Sequence, residues 1–357
     1  MSRLPIKWLL LAIANAIIFE LVAIILVNGQ LINATIPTYE FQKRRFFGDY
    51  DENFGTWHVP NSQYRHKTKC FDARYEFNSI GAKDGEFTGS SKFKSAILIG
   101  DSMAEGFGLS NEHSLDAAIE DLSGLDVLNF GTSGVFGTTQ YSLLYEKFNQ
   151  QFEHQYLFVM LTLSNDFLDD SASFGRLVYN NRYRPYKTPS DEDANDYVLS
   201  YLGRSELETY DVSLKDFLSG YFASYHFLKF VYKRVKWNSQ KRVQFNANVQ
   251  DELAAQPDGK LQLHNLRTMS AMAHANKVET KVIIAPSFKE VAMREQDAVT
   301  KTFKTKLENE LPDIQVIDPH QLFVEHAKPR QLFHACDAHL SKAGVTVIAE
   351  AISASLQ

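Results

Sequence analysis

Cysteine is almost absent from this chain: Cys70 and Cys336 are its only two in 357 residues. A disulfide-stapled scaffold is therefore excluded, and at most one bridge can form. No His and Cys cluster has zinc-ligand spacing and no phosphate-binding glycine loop occurs, so no metal, nucleotide or other cofactor is expected. Positive charge is not in excess either. The 37 basic and 43 acidic residues leave a formal charge of -6, which offers no general attraction to a phosphate backbone and argues against nucleic acid as a partner. Neither repeats nor Pro- or Gly-rich tracts of low complexity are found. The remaining composition, 44% hydrophobic and 22% charged, suits a filled globular core.

One long apolar run stands apart. Trp8 to Val27, WLLLAIANAIIFELVAIILV, has the length a helix needs to cross a hydrocarbon core of ~30 Å. Arg3 and Lys7 precede it, and the next basic residues are Lys43, Arg44 and Arg45. The positive-inside bias then leaves the N-terminus in the cytoplasm and everything after Val27 outside. A cleaved signal peptide is the rival reading, through the small-x-small triplet Ala14-Asn15-Ala16. Too few apolar residues precede that triplet and too many follow it, so an uncleaved anchor is preferred. Glu20 lies inside the span, where an ionised carboxylate is costly. With a single helix offering no partner, it is expected to be a tolerated lone acid. Cys70 and Cys336 both fall on the outer side, as one disulfide or as two unrelated buried thiols.

The chain divides into a cytoplasmic terminus (1–7), an anchor (8–27), a stalk and N-terminal extension (28–93) and a main domain (94–357). In the main domain, apolar strands alternate with helical segments. SAILIG, LDVLNFG, YLFVMLTL, TKVIIAPS and DIQVIDP read as strands. EHSLDAAIEDLS, TTQYSLLYEKFNQQF, LQLHNLRTMSAMAHANK, VAMREQDAVTKTFKTKLENEL and SKAGVTVIAEAISASL read as helices. Strands without polar alternation imply burial on both faces, hence a three-layer α/β/α fold on a mainly parallel sheet. An insertion at about 169–258 breaks the alternation. Within it RLVYNNRYRPYK looks extended, and LKDFLSGYFASYHFLKFVYKRVKW is amphipathic and aromatic. That insertion is either a lid beside the active site, the preferred reading, or helices packed on the domain's flank.

Functional groups in such sheets lie where strands end. Four places qualify: Gly100-Asp101-Ser102, the Asn129–Gly134 stretch NFGTSG, Ser164-Asn165-Asp166, and the Cys336–Gly344 stretch CDAHLSKAG. Acyl transfer through serine needs a hydroxyl, a base in reach of it, an orienter for the base and donors for the developing oxyanion. Ser102 supplies the hydroxyl, His339 the base and Asp337 the orienter. The N–H groups of Ser102 and Gly134 and the Asn165 amide supply the donors. His339 is preferred over His320, His326 and His334 because it stands beside an acid at the mouth of the last helix. Asp101 is expected to bond backbone in its own turn. Ala104 stands where a Gly-x-Ser-x-Gly elbow would have its second glycine, which disfavours ordinary α/β-hydrolase chemistry.

These blocks resemble the SGNH, or GDSL, hydrolase family, named for a serine, a glycine, an asparagine and a histidine in that chain order. Ser102, Gly134, Asn165 and His339 match in order and setting, over roughly Ser95 to the C-terminus. The resemblance implies an SGNH/flavodoxin-like sheet. Upstream, YDENFGTWHVPNSQ and FNSIGAKDGEF resemble the run-in of membrane-anchored bacterial members. The family's aspartate usually stands three residues before the histidine, a position held here by Cys336. Asp337 stands two before, a spacing similar to the alginate O-acetyltransferase-like branch. Either the orienting role moves to Asp337 or a dyad remains.

The resulting expectation is a membrane-anchored serine esterase with its domain periplasmic or extracellular. It would remove O-acetyl or other short acyl groups from an envelope glycan or lipid ester. An O-acyltransferase to a polysaccharide uses the same residues. A catalytically silent anchored subunit of envelope polysaccharide machinery is the alternative outside enzymes.

Overall fold

Five strands carry the main domain: β1 (Ser95–Gly100), β2 (Asp126–Asn129), β3 (Tyr156–Leu161), β4 (Glu279–Ile284) and β5 (Gln315–Ile317). All pair in parallel, in the order β5-β4-β3-β1-β2. The computed structural model describes residues 6–40, 49–87, 94–134, 136–178, 183–190, 196–203, 213–236 and 259–357. Side chains alternate along each strand between two cores. Ile97, Ile99, Val159 and Val282 face one side, where the helices Thr138–Phe148, Lys260–Ala275 and Ala298–Glu310 cover them. Ala96, Leu98, Phe158 and Ile283 face the other, under Leu115–Ser123 and Lys342–Ala354. Because both faces are dry, the strands lack the polar alternation of a half-exposed sheet. The expected three-layer α/β/α arrangement is the observed one.

Several boundaries differ from expectation. The segment 291–311 is not one helix but two, Phe288–Met293 and Ala298–Glu310. Arg294 breaks it with φ 58, and the Asp297 carboxylate restarts it by accepting from Thr300 N at 2.9 Å. Residues of RLVYNN expected to be extended lie partly in the helix Ala172–Val178. The extension contributes two antiparallel hairpins, Asp49–Asp51 with Gly55–Trp57 and Ser62–Lys67 with Asp72–Phe77.

The described parts of the insertion dock on the domain and on the N-terminal helix. Its hairpin, Arg184–Pro189 with Tyr197–Leu202, packs on the flank. There Gln140 Nε2 donates to Pro185 O at 3.2 Å and Lys187 Nζ to Asn265 Oδ1 at 2.7 Å. The helices Leu214–Tyr221 and Ala223–Lys236 follow, the second against the N-terminal helix Ile6–Asn28. Contact between them corrects the expectation for Glu20. Its carboxylate is not alone but accepts from Ala223 N at 2.7 Å and Ser224 N at 3.2 Å. The rest of the insertion, the basic trio Lys43-Arg44-Arg45, Arg3 and the boundary near residue 93 lie outside the described residues.

Candidate active site

Strand β1 ends at Gly100, and the chain turns at once into the short helix Ser102–Glu105. A Cβ at Gly100 would stand 2.7 Å from Ala104 Cβ and 2.8 Å from Met160 O, so only glycine lets the helix fold back this closely. Asp101 caps the helix, its carboxylate accepting from Met103 N at 2.9 Å. That is the local backbone role expected of it. Ser102 N–H belongs to the first turn, where no intrahelical carbonyl is available to it.

Ser102 Oγ lies 2.8 Å from His339 Nε2, across 237 residues of sequence. On the far side of the imidazole, Nδ1 is hydrogen-bonded to Asp337 Oδ1, and the same oxygen accepts from His339 N at 3.1 Å. This bond holds the Asp337 carboxyl below the usual carboxylate range, against the upward push of its partial burial. Three of the predicted residues therefore form one hydrogen-bonded line. His334 sits behind it: its backbone N donates to His339 O at 2.9 Å, and its ring lies against Phe71, centroids 4.8 Å apart. His320 and His326 lie on or beside the separate helix His320–Glu325.

The donor set is less simple. Gly134 adopts φ 107, a left-handed turn that a side chain would strain. Asn165 does not hold a free amide in reserve. Its Nδ2 donates to Asp101 Oδ2 at 2.9 Å and to Asp169 Oδ2 at 3.2 Å, while its Oδ1 is buried and unpartnered. Thr162 Oγ1 adds a third bond to Asp101, at 3.0 Å. Burial raises the Asp101 carboxyl, with these bonds opposing the shift.

A buried polar cluster that the sequence did not single out locks the pieces together. Glu105, at the end of the helix Ser102–Glu105, accepts from Ser133 N and stands 3.5 Å from His58 Nε2. Burial raises its carboxyl, but His58, Lys83 and the Ser133 amide outweigh that and hold it low. Lys83 is wholly buried and donates to the carbonyls of Glu105, Gly106 and Leu109 at 2.9, 3.2 and 2.9 Å. It caps the C-terminal end of the helix that begins at Ser102. Both His58 and Lys83 come from the extension, so that segment is part of the site's frame. The second hairpin adds to it. Tyr75 OH accepts from Gly108 N at 2.6 Å and is bonded to His66 Nδ1 at 2.9 Å, and Cys70 is joined by a disulfide to Cys336, Cα atoms 5.8 Å apart. The open question of the two cysteines is thus answered by a bridge between the extension and the His339 loop.

No protein-family model matches this sequence, and no curated protein does. Solved structures do show a likeness. A GDSL-like lipase from Bacteroides thetaiotaomicron is 11% identical, with 76% of this chain and 91% of that one covered and a TM-score of 0.39. A lipase/acylhydrolase from Enterococcus faecalis is 12% identical, covering 74% and 95%, with a TM-score of 0.37. A catalytic mutant of an acetylxylan esterase from Geobacillus stearothermophilus is 11% identical, covering 74% and 94%, with a TM-score of 0.36.

Proposed function

We propose that this chain is a serine esterase of the SGNH type, with Ser102 as nucleophile, His339 as base and Asp337 as orienter. The observation that carries the reading is the 2.8 Å contact of Ser102 Oγ with His339 Nε2, continued to Asp337 through Nδ1. Asp337 fixes the tautomer: Nδ1 keeps its proton, and Nε2 presents a lone pair to the hydroxyl. As Oγ attacks an ester carbonyl, its proton passes to Nε2 and the imidazolium that forms is stabilised by the Asp337 carboxylate. The alkoxide oxygen of the tetrahedral intermediate is met by the N–H groups of Ser102 and Gly134. Asn165 joins them by giving up the longer of its two carboxylate bonds, the one to Asp169. Collapse expels the alcohol, which takes the proton from Nε2, and water then releases the acyl group by the reverse sequence.

The substrates proposed for it are O-acetyl or other short acyl esters on an envelope glycan or lipid. The placement proposed is a single-pass anchor, cytoplasmic N-terminus and periplasmic or extracellular domain. The 23-residue helix Ile6–Asn28, with hydropathy 2.7, supports it, as does a disulfide, which persists in oxidising compartments. Transfer to a sugar hydroxyl in place of water is the second reading, favoured by the Asp337-x-His339 spacing. A fluorophosphonate probe on wild type and Ser102→Ala is the test. Labelling lost in the variant is expected. Labelling that survives would remove Ser102 as nucleophile, and no labelling of either would leave a silent subunit. Acetate release from acetylated glycans, with and without a sugar acceptor, separates hydrolysis from transfer.

A further inference from the structure

We propose that Glu105 is a positioning residue for the oxyanion site: its carboxylate holds the Ser133 amide and so sets where the adjoining Gly134 N–H points. This deepens the esterase reading and rests on it.

The path of the backbone from Asn129 to Gly134 is the first argument. Its amides are taken up one after another. Phe130 N donates to Leu98 O at 2.8 Å, Gly131 N to Asn129 Oδ1 at 2.8 Å and Thr132 N to Gly100 O at 3.1 Å. Strand β1 ends at Gly100, so Ser133 N has no further strand carbonyl to meet. The acceptor it finds is Glu105 Oε2. Gly134 N–H comes next, and among the described residues no acceptor meets it. Between the two nitrogens only φ and ψ of Ser133 can turn, because the peptide unit is planar. Fixing the first amide therefore narrows the directions open to the second. Glu105 itself belongs to the helix Ser102–Glu105. One short turn thus carries both the Ser102 hydroxyl and the acceptor that places the other donor. Asn129 ties the same loop to that helix, its Nδ2 donating to Ala104 O at 3.1 Å.

The burial of Glu105 is the second argument. Its side chain is wholly buried, where a carboxylate is costly unless both oxygens are engaged. Oε1 faces His58 Nε2 at 3.5 Å. His58 is fixed in turn: its Nδ1 donates to Gly81 O at 2.9 Å, and its ring stacks on Phe77, centroids 4.4 Å apart. The imidazole braces one oxygen while the other takes the amide, so the carboxylate cannot swing away from Ser133. The extension thereby acts on the oxyanion site through Glu105 without touching it.

The test uses the full-length chain in detergent, with kcat and KM read on a chromogenic acetyl ester. Glu105→Gln keeps an acceptor oxygen at the same reach, and its amide N–H can donate to His58 Nε2, so both contacts survive without the charge. Its kcat should stay within roughly threefold of wild type. Glu105→Asp keeps the charge but draws the oxygen back by one methylene. Its kcat should fall on the order of 100-fold, the scale of a ~1 Å misplacement, with KM little changed. An ion pair kept only for folding would rank the two the other way, since only the second retains a carboxylate for His58. Thermal unfolding checks that each variant is folded. Should Glu105→Asp not fold, Glu105→Gln decides alone, and a loss above about tenfold in it overturns the proposal. The reverse rank, equal rates in the two, or a loss confined to KM overturns it as well. Ser102→Ala is the control for the esterase reading. Turnover that survives in it overturns that reading and this proposal together, whereas turnover lost in it, with the Glu105 variants ranked otherwise, overturns this proposal alone.

Discussion

The imidazole of His339 lies face to face with the ring of Phe107, centroids 4.1 Å apart and planes 24° from parallel. His66 meets Phe107 edge-on at 4.7 Å and Phe71 does so at 5.8 Å, so the stacking surface is itself held by the hairpin Ser62–Phe77. Phe107 thus holds the His339 ring by its face while Asp337 holds it by its edge; under the proposed mechanism that makes it a positioning residue. Phe107→Leu keeps the bulk and loses the stacked face, worth ~0.5–1.5 kcal/mol. Turnover of a chromogenic acetyl ester should fall roughly three- to tenfold with KM unchanged, and Phe107→Tyr should restore it.

Asp337→Asn tests whether the base has an orienter. Geometry would survive, but the amide can no longer stabilise an imidazolium, and kcat should drop ~1,000- to 10,000-fold. A loss of less than tenfold would mean that Ser102 and His339 act as a dyad.

Asn165→Ala removes the proposed third donor. The expected loss in kcat is ~100- to 1,000-fold, the usual magnitude for one side-chain donor of an oxyanion hole. KM should be little changed, since the donor acts on charge that develops only in the transition state. Unaltered kcat would restrict Asn165 to bracing Asp101.

Burial pushes the His66 imidazole down to about 4, with Glu105 and Asp337 opposing. An unfolded histidine titrates near ~6.5. Between these values the unfolded chain binds more protons, so the contribution is full above the unfolded value and is lost as pH falls toward the folded one. The loss should reach at most ~3 kcal/mol. Thermal unfolding in detergent at neutral pH and near the lower value, compared between wild type and His66→Asn, reads it. The variant should show the shallower dependence.

Cys70 and Cys336 are 266 positions apart in sequence, and opening that loop should cost ~5 kcal/mol of chain entropy. Cys70→Ser should lower the unfolding midpoint and make it indifferent to reductant, whereas the wild-type midpoint should drop on reduction. Esterase activity should fall as well, because the bridge fastens the loop that carries Asp337 and His339.

The fold was legible where dry strands ran into polar residues. SAILIG into Asp101-Ser102 and FVMLTL into Asn165 are abrupt changes that a buried strand end makes unavoidable. His339 was readable from its acid neighbour and the helix behind it. Lys83, His58 and Glu105 were not, because a buried polar group whose partners are distant in sequence leaves no periodicity in its own neighbourhood. The broken helix could have been found. Ser287 and Glu290 form a capping box, with Ser287 Oγ donating to Glu290 Oε2 at 2.7 Å, and Asp297 is a second start signal. Only the left-handed Arg294 between them carried no warning. Glu20 and Ala223 are 203 residues apart, and nothing local to either could announce the other. The Asn165 amide was expected to point at substrate. Its capture by Asp101 and Asp169 depends on where two side chains turn after the backbone is in place.

Just past the N-terminal helix, Gln30 Nε2 donates to Lys69 O and Lys69 Nζ donates to Asn33 Oδ1, both at 3.2 Å. Lys69 adjoins Cys70, whose bridge reaches the loop of His339. With the helix in a bilayer, this chain of contacts is a short leash rather than a flexible tether. Ser102 would patrol a thin layer at the lipid surface, and its rate would follow the number of esters per unit of membrane area more closely than their concentration in the surrounding fluid.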